Sequence, residues 1–250
     1  MPFTILPAAK QSDGQFNGGA ILEKKPVVLS HDGRSLTPYS NLFYWAHAWS
    51  DDGSTIGEHP HQGFEILSFV MKGGIEHYDS ANRKWIPLHE GDVQIIRAGS
   101  GISHSEKILP GSAMFQIWFD PNLQKAILKT ASYNDYSSSS FPIITNSGYS
   151  TKILKGDGSP LEMDTPGIGI RQFKIHAGDF SISLEADKTY SIFVVDGTID
   201  VDGSTLIKND FLRIDAETVL NAKSFEGTVL FMIETPAQPG YPTYAARYMH

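Results

Sequence analysis

His59-Pro60-His61-Gln62-Gly63-Phe64-Glu65-Ile66-Leu67-Ser68-Phe69-Val70-Met71-Lys72-Gly73-Gly74 carries both a fold signal and a chemical one. Residues 64–71 are aromatic, branched and apolar, the composition of a strand, and Gly73-Gly74 ends them in a turn. Ahead of this run two imidazoles stand two positions apart. On a strand such residues point to one face, so His59 and His61 can converge on one ion without a special loop. Glu65 has the same parity.

Outward from this stretch the pattern is strand, turn, strand. Residues 42–50, 92–97 and 113–119 repeat the strand composition, and Glu90-Gly91-Asp92 and Gly99-Ser100-Gly101 punctuate it. Only 123–130 reads as helical. Short strands joined by polar turns predict an all-β sandwich or barrel. From Tyr133 the composition shifts. Asn134-Asp135-Tyr136 and the serines 137–140 read as an exposed linker, and strand patterns resume at Gly169, with Phe180-Ser181-Ile182-Ser183-Leu184 alternating at period two.

The second half echoes the first. Phe69-Val70-Met71-Lys72-Gly73 answers to Phe193-Val194-Val195-Asp196-Gly197, Gly91-Asp92 to Asn209-Asp210, and the strand at Phe115 to that at Phe231. Two barrels from a duplication are therefore expected. In this alignment His59 and His61 fall opposite Ser183 and Glu185, and His104 and Glu106 opposite Ala222 and Ser224, so the second barrel keeps the pattern and loses the ligands.

A chain of 250 residues suits two ordinary domains. It has no cysteine, which excludes disulfides and thiolate metal sites and leaves N and O ligands. The formal charge of -8, with no basic cluster beyond Lys24-Lys25, argues against direct nucleic-acid binding and leaves a protein partner open. Residues 1–10 lack a signal-peptide pattern, and no apolar run approaches the roughly 20 residues of a membrane helix. A cytoplasmic protein is expected.

His104-Ser105-Glu106 repeats the spacing of His59 and His61. Two strands brought together by a barrel would present three imidazoles and one or two carboxylates, a donor set that suits Fe(II), Mn, Ni, Cu or Zn. Single histidines in strands are ordinarily surface or hydrogen-bonded groups, and His31, His47, His89, His176 and His250 are read so. His77 is read as structural, with support of a metal ligand as the alternative.

Gly53 with His59-Pro60-His61 and Glu65 resembles the first cupin motif, and Gly91 to Gly101 with His104 the second. More specifically, His59 to Glu65, Gly91-Asp92-Val93-Gln94, Ala98 to Glu106, and Phe115-Gln116-Ile117-Trp118 with Pro121 resemble the pirin family. The resemblance implies a bicupin, two jelly-roll-type β-barrels in tandem, with a metal-binding domain at 1–134 and a ligand-free one at 135–250. It implies the ligands His59, His61, His104 and Glu106, with Fe(II) as the metal expected first and Ni, Mn, Cu or Zn also accommodated. Glu65, a ligand in many cupins, is then a hydrogen-bonded carboxylate. The implied activity is quercetin 2,3-dioxygenase: a flavonol-like aromatic substrate and O2, with Glu106 as general base. The alternative is a non-enzymatic metal-binding regulator of a transcription factor or metabolic enzyme.

Overall fold

The computed structural model describes residues 3–30, 32–80 and 83–247; His31 and His250 lie outside them. The chain forms two compact units. One gathers 12–138, 163–166 and 241–250, and the other 1–11, 139–162 and 167–240. No helix among the described residues is long and apolar enough to cross a membrane.

The unit that contains the histidine pairs has two sheets. The larger runs, in spatial order, Ser132–Tyr136, Val93–Arg97, Glu65–Lys72, Ser112–Phe119, Leu42–Ser50, Ile21–Val27, Ser12–Phe16; the smaller runs Ser54–His61, Ile102–Ile108, Gly74–Asp79, Trp85–His89. Ile21, Ala48, Val70 and Met114 from the first meet Ile56, Ile75, Leu88 and Ile108 from the second in one buried cluster. Each such side chain contributes roughly 1.5–3 kcal/mol by leaving water. The other unit repeats the plan with seven and four strands, and Ile192, Val194 and Leu230 pack with Phe180, Ile199 and Leu220 in its core.

The sequence echo is reproduced bond for bond within the units. Val70 N–H donates to Asp92 O at 3.1 Å and Gly91 N–H to Val70 O at 2.8 Å; Val194 N–H donates to Asp210 O at 3.0 Å and Asn209 N–H to Val194 O at 2.7 Å. Asp92 and Asp210 each accept a backbone N–H three residues back, from His89 at 2.8 Å and Ile207 at 3.0 Å. Gly91 and Asn209 both adopt positive φ, 83° and 72°, a conformation glycine and asparagine tolerate.

Three readings along the chain change. Residues 132–136, expected within or beside a linker, form an edge strand on Val93–Arg97. Their polar side chains are used across the ladder: Gln94 Nε2 donates to Asp135 at 2.7 Å and Arg97 to Asn134 at 2.8 Å. Strands also resume earlier than Gly169, in the hairpin of Ile143–Asn146 and Tyr149–Lys155. The helix is a single turn, Leu123–Ala126.

Strand register also revises the ligand equivalences. Ile108 pairs Ser54 and Ile75, while in the other unit Ser224 pairs Gly178 and Ile199. Counted back from there, Glu106 corresponds to Ala222, and the opposed pair His104 and His59 to Leu220 and Ile182. Those positions are apolar: Leu220 is in the core, and Ile182 and Ala222 pack against it.

Candidate metal centre

The strands Ser54–His61 and Ile102–Ile108 run antiparallel, with His59 opposite His104 and His61 opposite Ile102. Two positions along, Glu106 is opposite Ile56, so the first strand holds one extra residue between Ile56 and His59. This bulge replaces Glu58 by His59 at the inward position; re-aiming a side chain is a common use of bulges. The loop on the far side is also constrained. Gly99 has φ 50°, and a Cβ there would lie 2.5 Å from Lys129 O, so only glycine fits.

The imidazoles of His59, His61 and His104 converge. Their ring centroids are 4.7, 4.5 and 4.7 Å apart, and one nitrogen from each lies within 4.8 Å of the others. His59 Nδ1 lies 2.8 Å from Gly57 O. A carbonyl only accepts, so Nδ1 is the donor there and Nε2 is the nitrogen turned toward the other two rings. That Nε2 stands 3.1 Å from His104 Nε2, and two donors bound about 2.1 Å from one ion at right angles lie about 3 Å apart. Among the described residues, His61 Nε2 is buried without a hydrogen-bond partner. An unpartnered buried nitrogen is costly; three imidazoles converging this way fit a single divalent ion.

Burial pushes the His61 and His104 pKa values down to about 3, with His104 and His59 as further causes for His61, and His59 and His77 for His104. Both rings are therefore neutral at pH 7, the form that binds metal. The linkage is signed: the unfolded chain takes up protons near 6.5 and the metal-free fold takes them up only near 3, so these groups cost stability as pH falls through that window. In metal-free protein at about pH 5 the NMR signals of both rings are expected to remain those of neutral imidazole. Titration of either near pH 6.5 would contradict this environment.

Glu106 is fully buried and lies outside the three-imidazole cluster. One carboxylate oxygen accepts from Ser68 Oγ at 2.9 Å and the other from Gln116 Nε2 at 2.5 Å. Ser68 and Gln116 are themselves cross-strand partners in the larger sheet, so Glu106 spans the interior from one sheet to the other. Burial raises its pKa. His77 is opposite Glu106 on the adjoining strand. It is buried, with its ring 5.6 Å from that of His104 and its Nε2 3.4 Å from Asp79, and does not join the cluster.

Glu65 does not share the histidines' face. The strand Ser54–His61 ends at His61, and Glu65 opens a strand of the other sheet. The parity argument stops at that break. Glu65 instead accepts the backbone N–H groups of Asp164 at 2.7 Å and Thr165 at 2.8 Å, and the Thr165 hydroxyl. It is a buried hydrogen-bonded carboxylate that ties residues 163–166 to their own unit.

An aromatic wall flanks the cluster. The Trp118 indole packs edge-on against His61 at 4.8 Å and against Tyr44 at 5.1 Å. Phe43 and Phe64 extend the wall, 4.6 Å from each other, and Tyr244 meets them at 5.7 and 5.8 Å. Tyr244 is held by its backbone N–H, 2.5 Å from Asp120 Oδ2. Nothing in the order of the sequence brings residue 244 to this wall. Beyond His61 an open cavity of about 540 Å³ is lined by Pro60, Gln62, Ser80, Ser100, Gly101, Ile102 and Ser103, with no cationic side chain.

Residues 31–119 match the sequence model of the pirin family. A pirin-like protein of Caulobacter vibrioides is 28% identical over 198 residues, 74% of this chain and 81% of that one. Quercetin 2,3-dioxygenase of Escherichia coli K12 is 43% identical over 74 residues, 28% of this chain and 31% of that enzyme. Among solved structures, the bacterial pirin YhhW of Escherichia coli in complex with nickel(II) superposes with a TM-score of 0.77 at 20% identity, covering 94% of this chain and 99% of that one. With two repeated double-sheet units and the pirin motifs on the first of them, this chain has the bicupin fold, and its residues 31–119 form a pirin-family domain.

Proposed function

We propose that the chain is a metal-dependent dioxygenase that cleaves the ring of quercetin-type flavonols with O2. The observation that carries this reading is the convergence of three imidazoles beside a half-buried aromatic wall. His59, His61 and His104 would hold one divalent ion, with Glu106 as the fourth ligand through the oxygen that Ser68 holds here. Fe(II) is the metal proposed, although nitrogen and oxygen donors of this type also take Ni, Mn, Cu or Zn. Once bound, the ion supplies Lewis acidity that favours loss of the flavonol 3-hydroxyl proton.

The chain's own groups supply the rest. Glu106 accepts that proton on a carboxylate oxygen; burial raises its pKa and so makes it a stronger base than an exposed carboxylate. Trp118, Phe43, Phe64 and Tyr244 offer flat apolar surface for the flavonol rings and keep water from that side. The hydroxyls of Ser80, Ser100 and Ser103 and the Gln62 amide line the other side, where a polyhydroxylated ring finds donors and acceptors. The lack of a cation among these lining residues fits a phenolic substrate better than a carboxylate one.

The test is anaerobic loading with each metal in turn, followed by O2 and a panel of flavonols. Carbon monoxide released in step with flavonol loss is the expected result. No release with any metal would overturn the enzyme reading and favour a regulator that uses the same site to sense metal.

A further inference from the structure

Glu106 and the aromatic wall are joined by one side chain. Gln116 Nε2 donates to Glu106 at 2.5 Å, and Gln116 Oε1 accepts the Trp118 indole N–H at 3.2 Å. Gln116 itself is buried, on the inward face of Ser112–Phe119 between two strands of its sheet. An amide can be turned either way, but here each end has one compatible partner: the carboxylate only accepts and the indole only donates. The indole therefore fixes which way the amide points, and the amide's N–H in turn fixes Glu106. On the other side, the same indole lies against His61.

We propose that Gln116 is a positioning residue that couples Trp118 to Glu106, so that the aromatic wall and the carboxylate ligand are set as one unit. The inference rests on the metal-site reading above. A ligand carboxylate that is free to rotate must be ordered when the ion arrives, whereas one with an oxygen held by a fixed amide has less freedom left to lose. Ser68 holds the other oxygen; its hydroxyl rotates freely and can follow the carboxylate, while the amide cannot. A flavonol pressed on Trp118 would thus bear on the orientation of the group that takes its proton.

The experiment is a double-mutant cycle read as metal affinity. Metal-free full-length protein is titrated with Ni(II) against a chromophoric chelator. Gln116→Leu is expected to weaken Ni(II) binding about 10–100-fold, the usual effect of removing a group that orients a ligand. Trp118→Phe keeps a ring against His61 but loses the N–H, and is expected to weaken Ni(II) binding several-fold although Trp118 makes no hydrogen bond to Glu106. The double variant is expected to bind no more weakly than Gln116→Leu alone, because the indole acts only through the amide. Gln116→Glu, of the same shape but without the donor, is expected to show the loss as well and serves if the leucine variant does not fold. Wild-type affinity in the Gln116 variants, or losses that multiply in the double variant, would overturn the coupling while leaving the metal site standing. Failure of the wild-type protein to bind Ni(II) would instead strike the metal site itself.

Discussion

His104→Ala is expected to leave the protein folded and without bound metal. His104 is the most enclosed of the three imidazoles, stands opposite His59 on the adjacent strand, and turns its Nε2 to within 3.1 Å of His59 Nε2. Removing one of four donors from a site held by imidazoles and a carboxylate weakens it sharply. The fold should tolerate the change, because the ring's hydrogen-bond contact is to the His59 side chain and not to the backbone ladder. His59→Ala is expected to behave in the same way. Elemental analysis after dialysis against a weak chelator makes the check, with circular dichroism to establish folding. Stoichiometric metal in both folded variants would remove these residues from the ligand set.

Glu106→Gln separates chemistry from binding. The amide keeps the size of the carboxylate and one oxygen donor but loses the charge and nearly all the basicity. Three imidazoles still hold an ion, less tightly. General-base loss typically costs about 10²–10⁴ in rate, so flavonol cleavage at equal metal occupancy is expected to fall by that factor. The interior should adapt: Ser68 can still donate to the amide oxygen, while Gln116 would face an NH2 group unless its own amide turned over. Unchanged turnover at equal occupancy would take the base role away from Glu106.

How much of this was legible in the sequence depends on whether a signal is local to one strand. The strand over residues 42–50 is found at its expected bounds, Leu42–Ser50, because its aromatic and branched residues are contiguous. The duplication was legible because a turn needs particular residues: Gly91-Asp92 and Asn209-Asp210 make the same hydrogen bonds. The pairing of His59 with His61 was legible from period two. That period says nothing of the bulge that brings His59, and not Glu58, opposite His104.

Other features depend on contacts between distant strands. Glu65 shares parity with the histidines but belongs to a different sheet. The edge strand Ser132–Tyr136 reads as linker because its side chains are polar, and they are polar because they bond to Gln94 and Arg97 beside them. Ser68 and Gln116 gave one faint signal, a polar residue on the inward face of an otherwise apolar strand. Such residues stay in a core only when something there satisfies them, and their partner, Glu106, comes from the opposite sheet. Tyr244 had no local signal.

The central claim is one divalent ion held by His59, His61, His104 and Glu106, with none in the second unit, where Ile182, Leu220 and Ala222 occupy the corresponding positions. Anomalous diffraction from crystals of Fe(II)-loaded protein, grown without oxygen, tests it most directly. A single peak per chain is expected, within bonding distance of the three imidazoles and of the Glu106 oxygen that Ser68 holds without metal. A peak in the second unit, or an ion on the imidazoles with Glu106 still bonded to both Ser68 and Gln116, would contradict it.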